Sequence, residues 1–134
     1  MTTFESKVIK FNIDPEKIFG FLGNLNNFEE IMPDQVENWE SDADQCSFFI
    51  RNLGVLGMRA GDFNNSGELV FQSTEKSKTG FQLIYHLESK DETGAVGQFK
   101  ILVEVNSMLE MMVRRPLTNF VNLLNEKLHQ LLCG

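Results

Sequence analysis

Few residues in this chain could carry chemistry, and they are scattered. Tyr85 is the only tyrosine, and it follows Phe81 and Leu83 and precedes Leu87 at two-residue steps. In a strand its hydroxyl would share an apolar face, where it could orient a carbonyl or hydroxyl of a ligand. The plainer reading is a core tyrosine bonded to backbone. Asp62 follows Met58 and Ala60 at the same spacing, and partial burial at a strand end would raise its pKa for acid or base work. A solvated aspartate there needs no role. Arg114 and Arg115 could meet a carboxylate or phosphate head group, or simply form a solvated helix face. His86 and His129 lie far apart, without an HExxH motif or a clustered acidic partner, so no metal is expected. Cys46 and Cys133 have neither CxxC nor Cys/His spacing and read as inert thiols. Gly54, Gly57 and Gly61 match no phosphate-cradling pattern and read as turn and bulge glycines. These spacings imply no catalytic residue and no cofactor.

The elements that must position these residues are strands, followed by one long helix. Phe4 to Phe11 reads as a first strand, and Asp14-Pro15-Glu16 supplies an N-cap, a first-turn proline and an acid at the positive helix end. Ile18, Phe19, Phe21, Leu22 and Leu25 then mark the buried face of a short helix. Asn26 or Asn27 caps a second one carrying Phe28, Ile31 and Met32, which Pro33 stops. From Val36 the period falls toward two. Cys46, Phe48 and Ile50 alternate with Ser47 and Arg51, Leu56 with Met58 and Ala60, and Leu69 with Phe71, and turns are expected at Asp42 to Asp44 and Asn64 to Gly67. The last two strands carry Phe81 to Glu88 and Gln98 to Val105, joined by a polar turn from Ser89 to Gly94.

Ser107-Met108-Leu109-Glu110 is a capping box that opens a helix running to Leu132. Leu109, Met112, Val113, Leu117, Phe120, Leu124, Leu128 and Leu131 form its apolar stripe, and about 25 residues at about 1.5 Å each span about 37 Å. Pro116 lies inside that pattern, so a bend is expected there. A lone helix laid across an antiparallel sheet covers it without filling the space beneath, which favours an internal cavity. Met108, Met111 and Met112 would supply adaptable thioethers at its edge, as ligand contacts or as core filler.

Composition narrows the partners. With 134 residues the chain suits one domain, 1–134. Nineteen acidic against twelve basic residues give a net charge of −7, which repels nucleic acid and anionic membrane surfaces. The beginning MTTFESKVIK has no apolar signal region and no segment has the length of a membrane span, so a cytoplasmic protein without integral membrane association is expected, as a monomer or weak homodimer. Twelve Phe beside one Trp and one Tyr leave most aromatic surface without a hydrogen-bonding handle, suiting a core or an apolar pocket wall.

The run Ile13-Asp14-Pro15-Glu16-Lys17-Ile18-Phe19, then Phe21-Leu22-Gly23-Asn24-Leu25 and Asn27-Phe28 up to Pro33, resembles the opening of START-like (SRPBCC) proteins, and Met108 to Leu128 with its central Pro116 resembles their final helix. These motifs encode capping and packing, not chemistry. The resemblance implies an α+β helix-grip fold: a seven-stranded curved antiparallel sheet around the long C-terminal helix, with two short helices after the first strand. It further implies a cavity for a small apolar or amphipathic ligand of lipid, polyketide or aromatic type. Residues expected to face that ligand are Phe48, Ile50, Met58, Leu69, Phe71, Leu83, Tyr85, Phe99, Ile101, Val103, Met112 and Phe120. Binding without chemistry is the first expectation. The alternatives are a cyclase or dehydratase using polar cavity residues, which needs Tyr85, Asp62 or an arginine to converge on one void, and a chaperone-activator-like interaction module, which needs an exposed apolar patch.

Overall fold

A computed structural model of the chain describes residues 1–64, 66–91 and 94–134. Strands β1 (Thr2–Glu5) and β2 (Ile9–Phe11) precede helix α1 (Pro15–Leu22) and a 3-10 helix (Leu25–Ile31). Strands β3 (Val36–Ser41), β4 (Gln45–Ile50), β5 (Gly54–Phe63), β6 (Glu68–Ser73), β7 (Phe81–Asp91) and β8 (Gly94–Val103) follow, and helix α2 (Ser107–Cys133) ends the chain. The sheet is antiparallel throughout, in the order β1-β8-β7-β6-β5-β4-β3, with β2 also pairing to β8.

The expected first strand is broken, so a seven-ribbon sheet is built from eight strands. Ser6 is the reason: its backbone N–H donates to the Phe99 carbonyl and its Oγ accepts from the Phe99 N–H, while Oγ–H donates to the Lys7 carbonyl. A side chain thereby takes over part of the ladder where the backbone turns aside. Helix α1 begins as read, with the Asp14 carboxylate accepting from the Glu16 N–H and Pro15 in the first turn. The next turn is a 3-10 helix capped by Asn24, not by Asn26 or Asn27. Helix α2 is likewise capped one residue earlier than read: Asn106 Oδ1 accepts from the Leu109 N–H at 2.8 Å, and Ser107 becomes the first helical residue. The helix continues through Pro116. Asn65 of one expected turn and residues 92–93 of another lie outside the described residues.

Alternation along the strands sets the buried face. Phe81, Leu83, Tyr85 and Leu87 of β7 are buried, as are Phe99, Ile101 and Val103 of β8, with Tyr85 opposite Phe99 and Leu83 opposite Ile101. From α2 come Val113, Leu117, Phe120, Val121, Leu124 and Leu128. All join one hydrophobic cluster. The 3-10 helix pushes Phe28 into it, with ring centroids 5.2 Å from Phe71 and 6.5 Å from Phe99, while Phe120 stacks over Phe48 at 6.3 Å.

Candidate functional site

The residues expected to face a ligand are all buried except Met112. These buried side chains pack closely against one another beneath the helix. Met58, Phe71, Tyr85 and Phe99 expose 0% of their surface, and Leu83, Ile101, Val103 and Phe120 1%, as tightly packed core side chains do. Phe28, absent from the expected ligand-facing set, packs edgewise against Phe71 and Phe99. Met112 is 52% exposed, and Met108 and Met111 are 74% and 77% exposed, so these side chains do not fill the core. At about 100° per residue Met112 points about 80° away from Phe120, so it falls off the seam that Val113, Leu117 and Phe120 define. Leu131 is also exposed.

Tyr85 is a core residue held by a side chain instead of by backbone. Its hydroxyl donates to Asn125 Oδ1 at 3.2 Å, and Asn125 Nδ2 donates to the carbonyls of Gly97 and Lys7 at 3.0 and 3.1 Å. Gly97 makes room for this group, since a β-carbon there would collide with the tyrosine hydroxyl. One turn away, Asn122 Oδ1 accepts from the Lys7 N–H at 2.7 Å, so Asn122 and Asn125 together fasten α2 to the break between β1 and β2. Asn125 was missed in the sequence, although a polar residue beside Leu124 and Leu128 on the apolar side of the helix is a visible signal. Burial holds the Tyr85 phenol well above its ordinary pKa of 10.0, with a smaller push from Cys133. Burial likewise lifts the Cys46 thiol from 9.0 to about 12, against the lowering influence of its backbone hydrogen bond with Met58.

The other candidates are dispersed. Asp62 is exposed on β5, paired across to Val70, and does not join Tyr85. His86 lies on the outer face with Nδ1 3.6 Å from Glu68 Oε2 and Nε2 4.0 Å from Glu88 Oε1, while His129 meets the Phe11 ring edgewise at 5.3 Å. No three His, Cys, Asp or Glu among the described residues are placed to hold a metal ion. The cyclase reading therefore lacks the convergence it needs.

What the structure does assemble is a mouth at the edge of the grip. Gln35, Ile50, Arg51, Asn52, Arg115, Pro116 and Asn119 line a pocket of about 300 Å³, a volume at the small end of ligand sites. Three elements build it. The β4–β5 turn supplies Arg51 and Asn52, the latter at φ 76°, a left-handed conformation that asparagine tolerates. The loop after the 3-10 helix supplies Gln35, whose Nε2 donates to the Pro116 carbonyl at 3.0 Å and ties loop to helix. Helix α2 supplies Arg115, Pro116 and Asn119. Pro116, half-buried, gives most of the apolar surface with an edge of the buried Ile50, and Phe48 and Phe120 lie one strand repeat and one helical turn further in. Arg115 and Asn119 also border a neighbouring hollow with Met111, Arg114 and Thr118, where Arg114 Nη2 is 3.6 Å from Glu110 Oε2.

Solved structures share this architecture. A START superfamily protein from Mycobacterium smegmatis matches with a TM-score of 0.71 and 11% identity, over 97% of this chain and 96% of its own. Norcoclaurine synthase from Thalictrum flavum, a point mutant in complex with a transition-state analogue, gives 0.72 and 11% over 98% and 93%. An uncharacterized protein from Bacillus thuringiensis gives 0.70 and 7% over 99% and 100%. No protein-family model and no curated protein sequence matches the chain. At such identities the likeness is one of fold: the chain has the START-like, helix-grip fold. No helix among the described residues is long and apolar enough to cross a membrane.

Proposed function

We propose that this protein binds a small amphipathic molecule at the mouth between the β4–β5 turn and the Pro116 turn of α2, without transforming it. The observation that carries the reading is the pocket itself, about 300 Å³ with apolar surface from Ile50 and Pro116 inside a ring of polar side chains. Such a mixture of apolar wall and few polar groups is what small-molecule sites present. Deeper entry would require Phe48 and Phe120 to swing aside, opening the face formed by Met58, Leu69, Phe71, Leu83, Tyr85, Phe99, Ile101 and Val103. The test is a thermal-shift panel of fatty acids, sterols and aromatic compounds, with mass spectrometry of the natively purified protein. At least one class should raise Tm, and Asn119→Trp, which fills the mouth from an exposed helix position, should abolish the rise. No bound species and no shift across the panel sinks the proposal.

One observation favours a second reading. The exposed Met108, Met111 and Met112 form an apolar patch on the first turns of α2, as an interaction module would require. Pull-down with and without Met108→Ser and Met111→Ser separates the two.

A further inference from the structure

The lining of the mouth is basic in an acidic protein, and among the described residues its arginines are unpaired. The chain carries nineteen acidic and twelve basic residues, yet the pocket has two arginines, Arg51 and Arg115, and no carboxylate. Neither guanidinium has an ion pair or a side-chain hydrogen bond among the described residues. Its neighbour Arg114, by contrast, is engaged by Glu110. A polar hollow elsewhere, between β3, β4 and Lys76, is lined by Glu40 and Asp42 as well as by that lysine, so uncompensated positive charge is not a general property of the surface concavities. Asn52 and Asn119 also have side chains without hydrogen-bond partners among the described residues, and both line the same mouth.

Resting on the pocket reading above, we infer that the ligand is an anionic amphiphile. Its oxyanion head, a carboxylate or phosphate, is held between Arg51 and Arg115 with amide donation from Asn52 and Asn119, and its apolar body lies on Ile50 and Pro116. Two forked guanidinium donors suit an oxyanion with more than one acceptor oxygen. A neutral apolar ligand would gain nothing from them, and a cationic one would be repelled. With a net charge of −7 on the whole molecule, the attraction is local, and salt should weaken it.

Titration calorimetry with octanoate, octyl phosphate and octanol tests this. Both anions, or one of them, should bind more tightly than octanol, and the better of the two identifies the head group. Arg51→Gln and Arg115→Gln should each weaken that binding by about tenfold, the loss typical of one charged hydrogen bond. Lys17→Gln, an exposed lysine on α1, should leave it unchanged, and all three variants should keep the wild-type Tm. Octanol binding as tightly as the anions, or arginine variants with wild-type affinity, overturns the anionic assignment and leaves the pocket reading standing. No binding of any probe, with no response in the ligand panel, overturns both.

Discussion

Cys46 and Tyr85 are acids kept neutral by burial, and their effect on stability has a definite sign. In the unfolded chain the thiol ionises near 9.0 and the phenol near 10.0; in the folded chain the thiol pKa is pushed up to about 12 and the phenol higher still. A folded pKa above the unfolded one means that the stabilising contribution is complete below the unfolded value and is lost as pH rises through the folded one. Denaturant unfolding should therefore show constant stability from these groups below pH 9.0 and a decline from there toward about pH 12. Cys46→Val, which removes one of the two groups, should flatten part of that decline. An identical alkaline slope in the variant would remove Cys46 from the account. Much at this scale was readable: the alternation around Tyr85 placed it on the buried face. Its partner was not, because Asn125 lies 40 residues away, and only the packing of α2 against β8 brings the two together.

Elements were legible where a local rule had one solution. Asp14-Pro15 marked the start of α1, and the period-two runs marked β4 to β8 with the apolar face inward, although β7 and β8 extend into the expected Ser89 to Gly94 turn and β8 ends at Val103, not Val105. Local rules failed where neighbouring residues satisfied them equally well. Asn106 and Ser107 are both good caps, and Asn24, Asn26 and Asn27 compete in the same way; the choice depends on the angle at which the preceding strand or helix delivers the chain. Asn106→Ala should cost about 1 kcal/mol, the usual worth of an N-cap, whereas Ser107→Ala should stay within about 0.5 kcal/mol, both read from urea midpoints. The reverse ranking would restore the capping box at Ser107. The stripe on α2 was misread at Met112 for a related reason. A sequence repeat allows an apolar face of any width, and the sheet's edge decides how much of it is covered.

At the level of the whole molecule, the grip is closed by aromatic packing. Phe120, 1% exposed and stacked on Phe48, is the side chain that joins helix to sheet near the mouth. Phe120→Ala should destabilise the fold by about 3–5 kcal/mol, the range for deleting a buried phenyl ring. It should also open a void continuous with the mouth, so a small apolar probe should raise the variant's Tm more than the wild type's. A loss below about 1 kcal/mol would show that the ring is dispensable, contrary to its burial. Sequence alone determined the kinds of element, their order and which face of each strand is apolar, since those follow from side-chain period and local capping. Only the tertiary structure decided that Phe28 packs against Phe71 and Phe99 beneath the helix and that Arg51 and Arg115 share one mouth. A void is the difference between the volume that a curved sheet encloses and the volume of the side chains entering it, and that difference depends on distances between elements far apart in the chain.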